Sequence, residues 1–518
     1  MESQQEIPVL IVGGGAAGTM LALELARFGI KFRLIDRLEA PSSLSRAITV
    51  HARTLEILER IDKRLADRIL DRGIHSPGYV IHYLDEEGQR SEVRPGLDFR
   101  GLDSRYPFLV THGQNETEQS LRDYMKETFH VNTEWGVSCE KVEIRDNEVH
   151  AVLKNRSGQE EKIRCRYVVA CDGVNSRIRH QLQVDQNDSG DYSGAVLQNL
   201  DVVLENFPDK EEWMHYCVGP GHFLMVAKLP SGYTRLLMSQ PPDKAGSEEI
   251  PQQIFYNILS SHFDGVGFGD IQWHSRWQSH VKLAQSYRYG NIFLAGDAAH
   301  THSTAGGQGM NCCIQDSYNL GWKMAMVLMG DADESLLDSY ERERKPIGHQ
   351  VITAATDIHK LFMTGKNEGP DGLRELQKSG FIEELVGRVS GVAYHYREEG
   401  QDLAIKTGSV QAGDRAPDSA LVDHSAERLF DLTRHTKFTL LVMTENMDCP
   451  GGFSEWIYNL GNKYRHLLVA HQLVPGPERY VEGNSEPVLL LIRPDGYVAA
   501  KTIWSNRWEI EDWIQTQL

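Results

Sequence analysis

Apolar runs and helical patterns alternate through the first part of the chain. An uninterrupted apolar run over residues 9–12 leads into the glycine-rich segment 13–18, and apolar residues at helical spacing continue from there to Gly29. A second apolar run, 32–35, ends at Asp36. Continuous apolar runs bounded by glycine are typical of buried parallel strands. The pattern therefore predicts a strand, a turn, a helix and a second strand, in that order.

Two later apolar runs also end in a turn that carries an aspartate. The run 167–170 leads into Asp172, and the run 291–295 leads into Gly296 and Asp297. A glycine-rich loop then opens a helix that we predict from Cys312 to about Leu328. These segments add two strands and a long helix to the predicted α/β unit.

The pattern changes in the middle of the chain and again near its end. Between 189 and 273, short strand-like segments follow one another, as in 221–228 and 233–238, which predicts an antiparallel sheet. The segment 264–270 contains three glycines and is predicted to be a loop. From about residue 405, strands such as 438–442 and 488–492 alternate with helical stretches. The sequence therefore predicts three structural units.

Composition narrows the class of protein. With 518 residues, 40% hydrophobic and 25% charged, the chain is long enough for several domains and unlike a disordered protein. A formal net charge of -19 and the lack of a basic stripe argue against nucleic acid as a partner. No apolar run is long enough to predict a membrane span, and the first residues lack a basic leader pattern. Seven cysteines without CxxC pairs or metal-ligand spacing predict no metal and a cytoplasmic location.

The first turn has the spacing of a dinucleotide-binding fingerprint. Gly13 allows the tight turn, Gly15 lets the backbone approach a pyrophosphate, and Gly18 permits close packing of helix on strand. Ala16 and Ala17 open the helix, whose N-terminus favours phosphate. Asp36 lies about 20 residues beyond, where a carboxylate can bind ribose hydroxyls. Both NAD and FAD use such a fingerprint.

The three ordered motifs together resemble those of the class A flavoprotein monooxygenases, the family of para-hydroxybenzoate hydroxylase and phenol hydroxylase. By this resemblance the bound cofactor is FAD, held tightly without a covalent bond. The resemblance implies that FAD is held by the residues Gly13, Gly15, Ala16, Ala17, Gly18, Asp36, Arg37, Arg46, Gln114, Asp172, Gly296, Asp297, Gly309, Met310 and Asn311.

Several of these residues have a specific expected role. Asp297 is expected to hold the ribityl chain, Arg46 to neutralise the phosphates, and Asp172 to serve both the pyrophosphate region and the docking of the nicotinamide cofactor. The residues 309–311 begin a helix whose partial positive charge suits the negative charge of reduced flavin. The family usually has proline where this chain has Thr304.

The resemblance also implies an aromatic-substrate pocket like that of phenol hydroxylases acting on substituted rings. By position its candidate catalytic residues are His51, Tyr216, Arg235 and Tyr396. Each of them can equally be a buried polar residue satisfied by the backbone. A cation such as Arg235 or a base such as His51 can favour the phenolate form of a substrate.

The expected fold class is α/β, with a Rossmann-like FAD domain interrupted by an antiparallel-sheet substrate domain. The FAD domain is predicted over 1–188 and 273–400, and the substrate domain over 189–272, with part of 76–108 joining the substrate side. Residues 405–518 resemble a thioredoxin-like domain. This last unit offers only Cys449 where a redox thioredoxin needs a cysteine pair, so a structural or dimer-forming role is expected.

The function implied is hydroxylation of a phenolic or other aromatic substrate through a flavin C4a-hydroperoxide. NADPH or NADH is the transient reductant, O2 the oxidant, and a homodimer is possible. Two alternatives are an FAD-dependent oxidoreductase of the same fold acting without oxygen insertion and a non-catalytic flavoprotein that binds an aromatic ligand.

Overall fold

The computed structural model describes residues 6–43, 45–188, 196–208, 212–220, 222–240, 252–397, 410–421, 425–444, 451–474, 476–481 and 486–518. Within these ranges, no helix is both long enough and apolar enough to cross a membrane.

The described strands, in chain order, are β1 (Glu6–Val12), β2 (Phe32–Asp36), β3 (Thr49–Val50), β4 (Ile74–Ser76), β5 (Gly78–Leu84), β6 (Arg90–Asp98), β7 (Leu109–Thr111), β8 (Glu134–Trp135), β9 (Val137–Arg145), β10 (Glu148–Asn155), β11 (Glu160–Ala170), β12 (Gln186–Asp188), β13 (Val196–Glu205), β14 (Met214–Gly219), β15 (His222–Lys228), β16 (Thr234–Gln240), β17 (Gly267–Gln278), β18 (Lys282–Ala284), β19 (Arg288–Tyr289), β20 (Ile292–Leu294), β21 (His300–Thr301), β22 (Phe438–Met443), β23 (Leu468–Leu473), β24 (Val488–Ile492) and β25 (Val498–Ile503).

The described α-helices are α1 (Ala16–Arg27), α2 (Ala52–Ile61), α3 (Lys63–Arg72), α4 (Gln114–Phe129), α5 (Arg177–Gln181), α6 (Gln252–His262), α7 (Gly309–Met329), α8 (Asp338–Lys378), α9 (Phe381–Ser390), α10 (Leu429–Leu432), α11 (Phe453–Lys463), α12 (Glu478–Val481) and α13 (Trp508–Gln517).

A mainly parallel sheet forms the centre of the first unit. Its strands run in the order β20, β11, β1, β2 and β8, all parallel, with β19 antiparallel at one edge and the β9–β10 hairpin paired to the long strand β11. Helices α1 and α7 pack closely, and a Cβ at Gly321 would lie 2.7 Å from the Glu24 side chain. Because the central strands are parallel, the turns after β1, β2, β11 and β20 meet at one edge of the sheet.

A seven-stranded sheet forms the second layer, in the order β17, β13, β16, β15, β14, β5 and β6. It takes β5 and β6 from the segment before residue 109, and β17 continues as far as Gln278. Apolar residues of α8 and α9 cover one face of this sheet, and α6 covers the other. The predicted loop over 264–270 is wrong from Gly267 onward, because pairing with β13 makes that part an edge strand despite its glycines.

The C-terminal unit contains a four-stranded sheet in the order β23, β22, β24 and β25. Strands β22 and β23 are parallel, whereas β24 runs antiparallel to both β22 and β25. The predicted strands over 438–442 and 488–492 are confirmed as β22 and β24. Trp322 and Met326 of α7 pack against this unit. Cys449 lies outside the described residues.

Candidate active site

The glycine turn between β1 and α1 is built for close backbone packing. Gly13 has a φ of +112°, and a Cβ there would lie 2.2 Å from the carbonyl oxygen of Cys171. A Cβ at Gly18 would lie 1.8 Å from the carbonyl oxygen of Gly13. At Gly15, in contrast, the nearest atom would be Glu118 Oε1 at 3.7 Å. One side of the turn is therefore packed against protein and the other is open beside the start of α1.

Asp36 lies at the carboxyl end of β2 and holds the same turn. Its Oδ2 accepts a hydrogen bond from Gly14 N at 2.7 Å, and its Oδ1 accepts one from Leu38 N at 2.8 Å. The next residue, Arg37, is exposed. A half-buried carboxylate at this position can also accept a bond from a ribose hydroxyl.

Asp297 lies in the turn after β20. This turn is a short 3-10 helix over Gly296–Ala298, and Gly296 opens it with a φ of +62°. Burial raises the pKa of Asp297, whereas the charges of His300 and Arg46 lower it. The side chain nevertheless keeps an exposed surface, although Cys313 Sγ donates to its Oδ1 at 3.4 Å. An accessible carboxylate in this turn can bind ligand hydroxyl groups.

Asp172 follows β11 and combines a capping bond with an unused oxygen. Its Oδ2 accepts bonds from Arg177 N at 2.8 Å and Ile178 N at 3.4 Å, as a cap of α5 does. Its Oδ1 is buried and has no hydrogen-bond partner in the described part of the chain. Buried carboxylate oxygens usually have a partner, so this oxygen is available to a ligand.

The start of α7 contributes backbone N–H groups. The helix begins at Gly309, so the amides of Gly309, Met310 and Asn311 lack the partners they would have in a helix interior. The Asn311 side chain is occupied within the protein: its Nδ2 donates to the carbonyls of Thr49 and Gly307, each at 2.9 Å. Its side chain therefore positions loops, and only its N–H is left for a ligand.

Helix α4 places three polar side chains beside the glycine turn. Gln114 Nε2 donates to Glu118 Oε1 at 3.0 Å, and Arg122 Nη1 lies 3.5 Å from Glu118 Oε2. Burial raises the pKa of Glu118. The hydrogen bond from Gln114 and the charge of Arg122 act in the opposite direction. The sequence interpretation assigned no role of their own to Glu118 and Arg122. Their signal was the i, i+4, i+8 spacing from Gln114, which places all three on one helix face.

Arg46 lies near the turn that carries Asp297. It is exposed, its guanidinium lies 5.7 Å from the centroid of the Trp277 ring, and its charge acts on Asp297. The structure thus brings Arg46 to the acidic turn after β20.

These features fit FAD. The open glycine turn, the accessible Asp297 carboxylate, the unpartnered Asp172 oxygen and the free N–H groups at the start of α7 all lie around the carboxyl edge of the central sheet. They can accept bonds from hydroxyl groups and donate bonds to phosphate and to an anionic ring.

His51 is a buried neutral imidazole beside the loop 304–307. Its Nε2 lies 2.7 Å from the carbonyl oxygen of Gly306, so Nε2 carries the proton and Nδ1 has a free lone pair. His51 Nδ1 has no partner among the described residues. Burial lowers the pKa of His51 to about 4, although the hydrogen bond to Gly306 acts to raise it. His51 is therefore neutral at neutral pH and presents Nδ1 as a hydrogen-bond acceptor.

Tyr216 belongs to an aromatic cluster between the seven-stranded sheet and α8. Its ring centroid lies 5.0 Å from that of Tyr79, 5.4 Å from Phe223 and 4.9 Å from Phe362. Tyr79 also lies against Phe99, whose ring is 6.0 Å from that of His51. Burial raises the pKa of Tyr216 and that of Tyr79. The structure thus links Tyr216 to His51 through Tyr79 and Phe99.

The other two pocket candidates have structural partners. Arg235 forms a two-pronged ion pair with Asp201, at 2.5 and 2.7 Å, and its Nη1 donates to the carbonyl of Ser45 at 2.7 Å. Tyr396 packs against Tyr497 of the C-terminal unit, with ring centroids 4.0 Å apart. Neither side chain is part of the His51 and Tyr216 cluster. Arg235 is held by Asp201, and Tyr396 by the C-terminal unit.

Acidic turns, a glycine turn and a helix N-terminus at one sheet edge define an FAD-binding oxidoreductase. Comparison with known proteins agrees: residues 6–355 match the family model of the FAD binding domain. The chain is 35% identical over 514 residues to pentachlorophenol 4-monooxygenase of Sphingobium chlorophenolicum, covering 95% of this chain and 93% of that protein. It is 31% identical to 6-methylpretetramide 4-monooxygenase of Streptomyces rimosus, covering 95% and 90%.

Solved structures give the same fold. The flavin-dependent monooxygenase PieE, in complex with FAD and substrate, superposes with a TM-score of 0.80 at 21% identity over 99% of both chains. OxyS anhydrotetracycline hydroxylase of Streptomyces rimosus superposes with a TM-score of 0.77 at 24% identity, also over 99% of both. This chain belongs to the family of FAD-dependent aromatic monooxygenases.

Proposed function

We propose that this enzyme hydroxylates a phenolic ring, with NAD(P)H as the electron donor and O2 as the source of the oxygen atom. Substrate, O2, NAD(P)H and one proton would give the hydroxylated product, water and NAD(P)+. The observation that carries the proposal is the placement of His51 with a free Nδ1 lone pair between an aromatic cluster and the loop that leads into α7.

In this proposal each motif holds a different part of FAD. The open side of Gly15 and the start of α1, at Ala16 and Ala17, take the pyrophosphate, and Asp36 with Arg37 takes the ribose at the rim. Asp297, in the turn that begins at Gly296, binds the ribityl hydroxyls. Further contacts come from Gln114, Arg46, Asp172 and the amides of Gly309, Met310 and Asn311. When bound, FAD supplies the redox chemistry that delivers oxygen from O2 to the ring.

His51 and the aromatic cluster prepare the substrate in this proposal. A phenol with a pKa of about 10 is mostly protonated at neutral pH, so an acceptor that forms a hydrogen bond with its O–H makes the ring more electron-rich. Nδ1 of His51 is that acceptor. Tyr79, Tyr216 and Phe99 provide apolar surroundings that exclude water from the reacting ring. Arg235 acts indirectly, by fixing the loop at Ser45 next to Arg46.

We further propose a thioredoxin-like C-terminal domain. A parallel pair, β22 and β23, followed by an antiparallel hairpin, β24 and β25, and a final helix supports it. The proposed division is an FAD domain over 1–188 and 273–400, a substrate domain over 189–272 joined by β5, β6 and the end of β17, and this C-terminal domain. The six described cysteines are free thiols, which supports a cytoplasmic location. A homodimer is a further part of the proposal, to be checked by light scattering.

The test is oxidation of NADPH and of NADH by the FAD-loaded protein, with O2 uptake followed in parallel. The panel contains substituted phenols and polycyclic aromatics, because the relatives are named for pentachlorophenol and for 6-methylpretetramide. We expect a phenol to stimulate both rates and to appear as a hydroxylated product. Stimulation without any product across the panel would instead favour an oxidoreductase that inserts no oxygen.

A further inference from the structure

A buried ion network lies directly beneath the turn that carries Asp297. Asp316 of α7 accepts a bond from Gly296 N at 3.2 Å and lies 2.6 Å from His300 Nε2, both through Oδ2. Its Oδ1 accepts from Nε of Arg344, on α8, at 2.7 Å. The side chains of Asp316, His300 and Arg344 are completely buried. One carboxylate therefore fixes both ends of the 296–300 turn.

The charges of this network are mutually compensated. Burial opposes ionisation of Asp316, but His300 and Arg344 hold the pKa of its carboxyl below the usual value. His300, Cys312 and Asp316 bring possible metal ligands within 4.8 Å of one another. Arg344 already occupies this group as a cation, since its Nη2 also donates to Cys312 Sγ at 3.5 Å. The cluster is therefore an ion-pair network, and what it positions is the turn.

The same arginine reaches the C-terminal unit. Nη1 of Arg344 donates to the hydroxyl of Tyr396 at 3.1 Å. The Tyr396 ring packs against Tyr497, and the Arg493 guanidinium lies 5.3 Å from the centroid of the Tyr396 ring. The backbone N of Tyr396 donates to the carbonyl of Gly413 at 2.7 Å. Tyr396 thus has its ring and backbone fixed by the C-terminal unit and its hydroxyl bonded to the network.

We propose that the C-terminal unit braces the FAD site: it holds Tyr396 against Arg344, and Arg344 with Asp316 fixes the turn that presents Asp297. Tyr396, Arg344 and Asp316 are positioning residues in this scheme. The proposal rests on the proposed role of Asp297 in binding FAD. The C-terminal unit lies far along the chain from the flavin motifs. By this proposal it nevertheless contributes to cofactor binding.

The test uses the full-length protein and measures the Kd of FAD by flavin fluorescence, together with the visible circular dichroism of the bound flavin. Tyr396→Phe removes only the hydroxyl that Arg344 bonds, and Tyr497→Leu removes the ring beneath it. We expect each variant to weaken FAD binding about tenfold and to change the dichroism, because a hydrogen bond to a charged group is lost or misplaced. Asp316→Asn should weaken binding further.

Tyr480→Phe is the matched control, because the Tyr480 hydroxyl bonds the carbonyl of Pro417 within the C-terminal unit at 2.6 Å. It should lower thermal stability without changing the Kd of FAD. Wild-type affinity and dichroism in both Tyr396→Phe and Tyr497→Leu would overturn the proposal, as would an equal loss in Tyr480→Phe. Tyr396→Phe keeps the test decisive even if Asp316→Asn does not fold.

FAD binding and hydroxylation are separate readouts, so the two proposals can fail separately. One possible result is that the Tyr396 and Tyr497 variants lose FAD affinity while the wild-type protein hydroxylates no aromatic compound. This result would support the brace and contradict the proposed function. Hydroxylation by the wild-type protein, together with unchanged FAD affinity in both variants, would support the proposed function and contradict the brace.

Discussion

At the scale of single residues, His51 combines burial with a position next to the proposed substrate. Burial lowers its pKa to about 4, below the ordinary value of 6.5, so it binds fewer protons in the folded than in the unfolded state. The stability it contributes is therefore complete above pH 6.5 and is lost as the pH falls toward 4. Neutral His51→Gln lacks this dependence.

The prediction is that wild-type protein loses about 2–3 kcal/mol more unfolding free energy than His51→Gln between pH 7 and 4.5. Denaturant unfolding at the two pH values measures this difference. The His51→Gln variant should also hydroxylate more slowly. Because His51 stays neutral down to about pH 4, its ionisation should not appear near pH 6.5 in the pH profile of the wild-type rate. Parallel stability curves for the two proteins would contradict a buried neutral His51.

Asp297 gives a second prediction at this scale. Asp297→Asn keeps the size of the side chain but removes a charged acceptor, so FAD binding should weaken about tenfold or more. Asp71→Asn, at an exposed carboxylate on α3, is the matched control and should bind FAD normally. Equal FAD affinity in both variants would show that Asp297 does not contribute to FAD binding.

At the scale of elements, two glycines of one turn should separate folding from ligand binding. A Cβ at Gly18 would lie 1.8 Å from the carbonyl oxygen of Gly13, whereas a Cβ at Gly15 has only Glu118 Oε1 at 3.7 Å. Gly18→Ala should therefore lower the free energy of unfolding by about 1–3 kcal/mol or more. Gly15→Ala should fold normally but bind FAD poorly. Thermal melting and FAD titration check the pair; a Gly15→Ala protein with wild-type FAD affinity would mean that the cofactor lies elsewhere.

The β1–α1–β2 segment was predictable because its apolar pattern and glycine spacing are local. The helix predicted from Cys312 to about Leu328 is confirmed as α7, which starts three residues earlier. Strand β17 was not predictable in the same way. Its first residues include Gly267 and Gly269, and they become a strand only through pairing with β13, more than 60 residues earlier.

At the scale of the whole molecule, buried ion pairs join α2 to the C-terminal unit. Nη1 of Arg415 lies 3.0 Å from Oε1 of the fully buried Glu56, whereas Arg479 pairs with exposed Asp103 at 2.6 Å. Arg415→Met should cost about 3 kcal/mol of unfolding free energy, because it removes one of the two arginines paired with a buried carboxylate and leaves only Arg53, at 3.2 Å. Arg479→Met should cost about 1 kcal/mol or less. Denaturant unfolding of the two variants measures the difference, and similar costs would contradict a close buried interface.

The substrate side was harder to predict at this scale. Arg235 and Tyr396 are at family positions, but the ion pair with Asp201 and the ring contact with Tyr497 depend on residues 34 and 101 positions away. A sequence pattern identifies a polar residue but does not show which distant group already satisfies it. The turns that end β1, β2, β11 and β20 were easier to predict, because each follows an apolar run and its residues lie within a few positions of the strand end.

The most direct test of the central account is a turnover of the FAD-loaded protein under 18O2 with an accepted phenol and reduced nicotinamide. Mass spectrometry of the product counts the labelled atoms. An FAD-dependent aromatic monooxygenase should place one 18O atom in each hydroxylated ring and consume one O2 and one reduced nicotinamide for it. A product that carries oxygen only from water, or a product without added oxygen, would contradict the account.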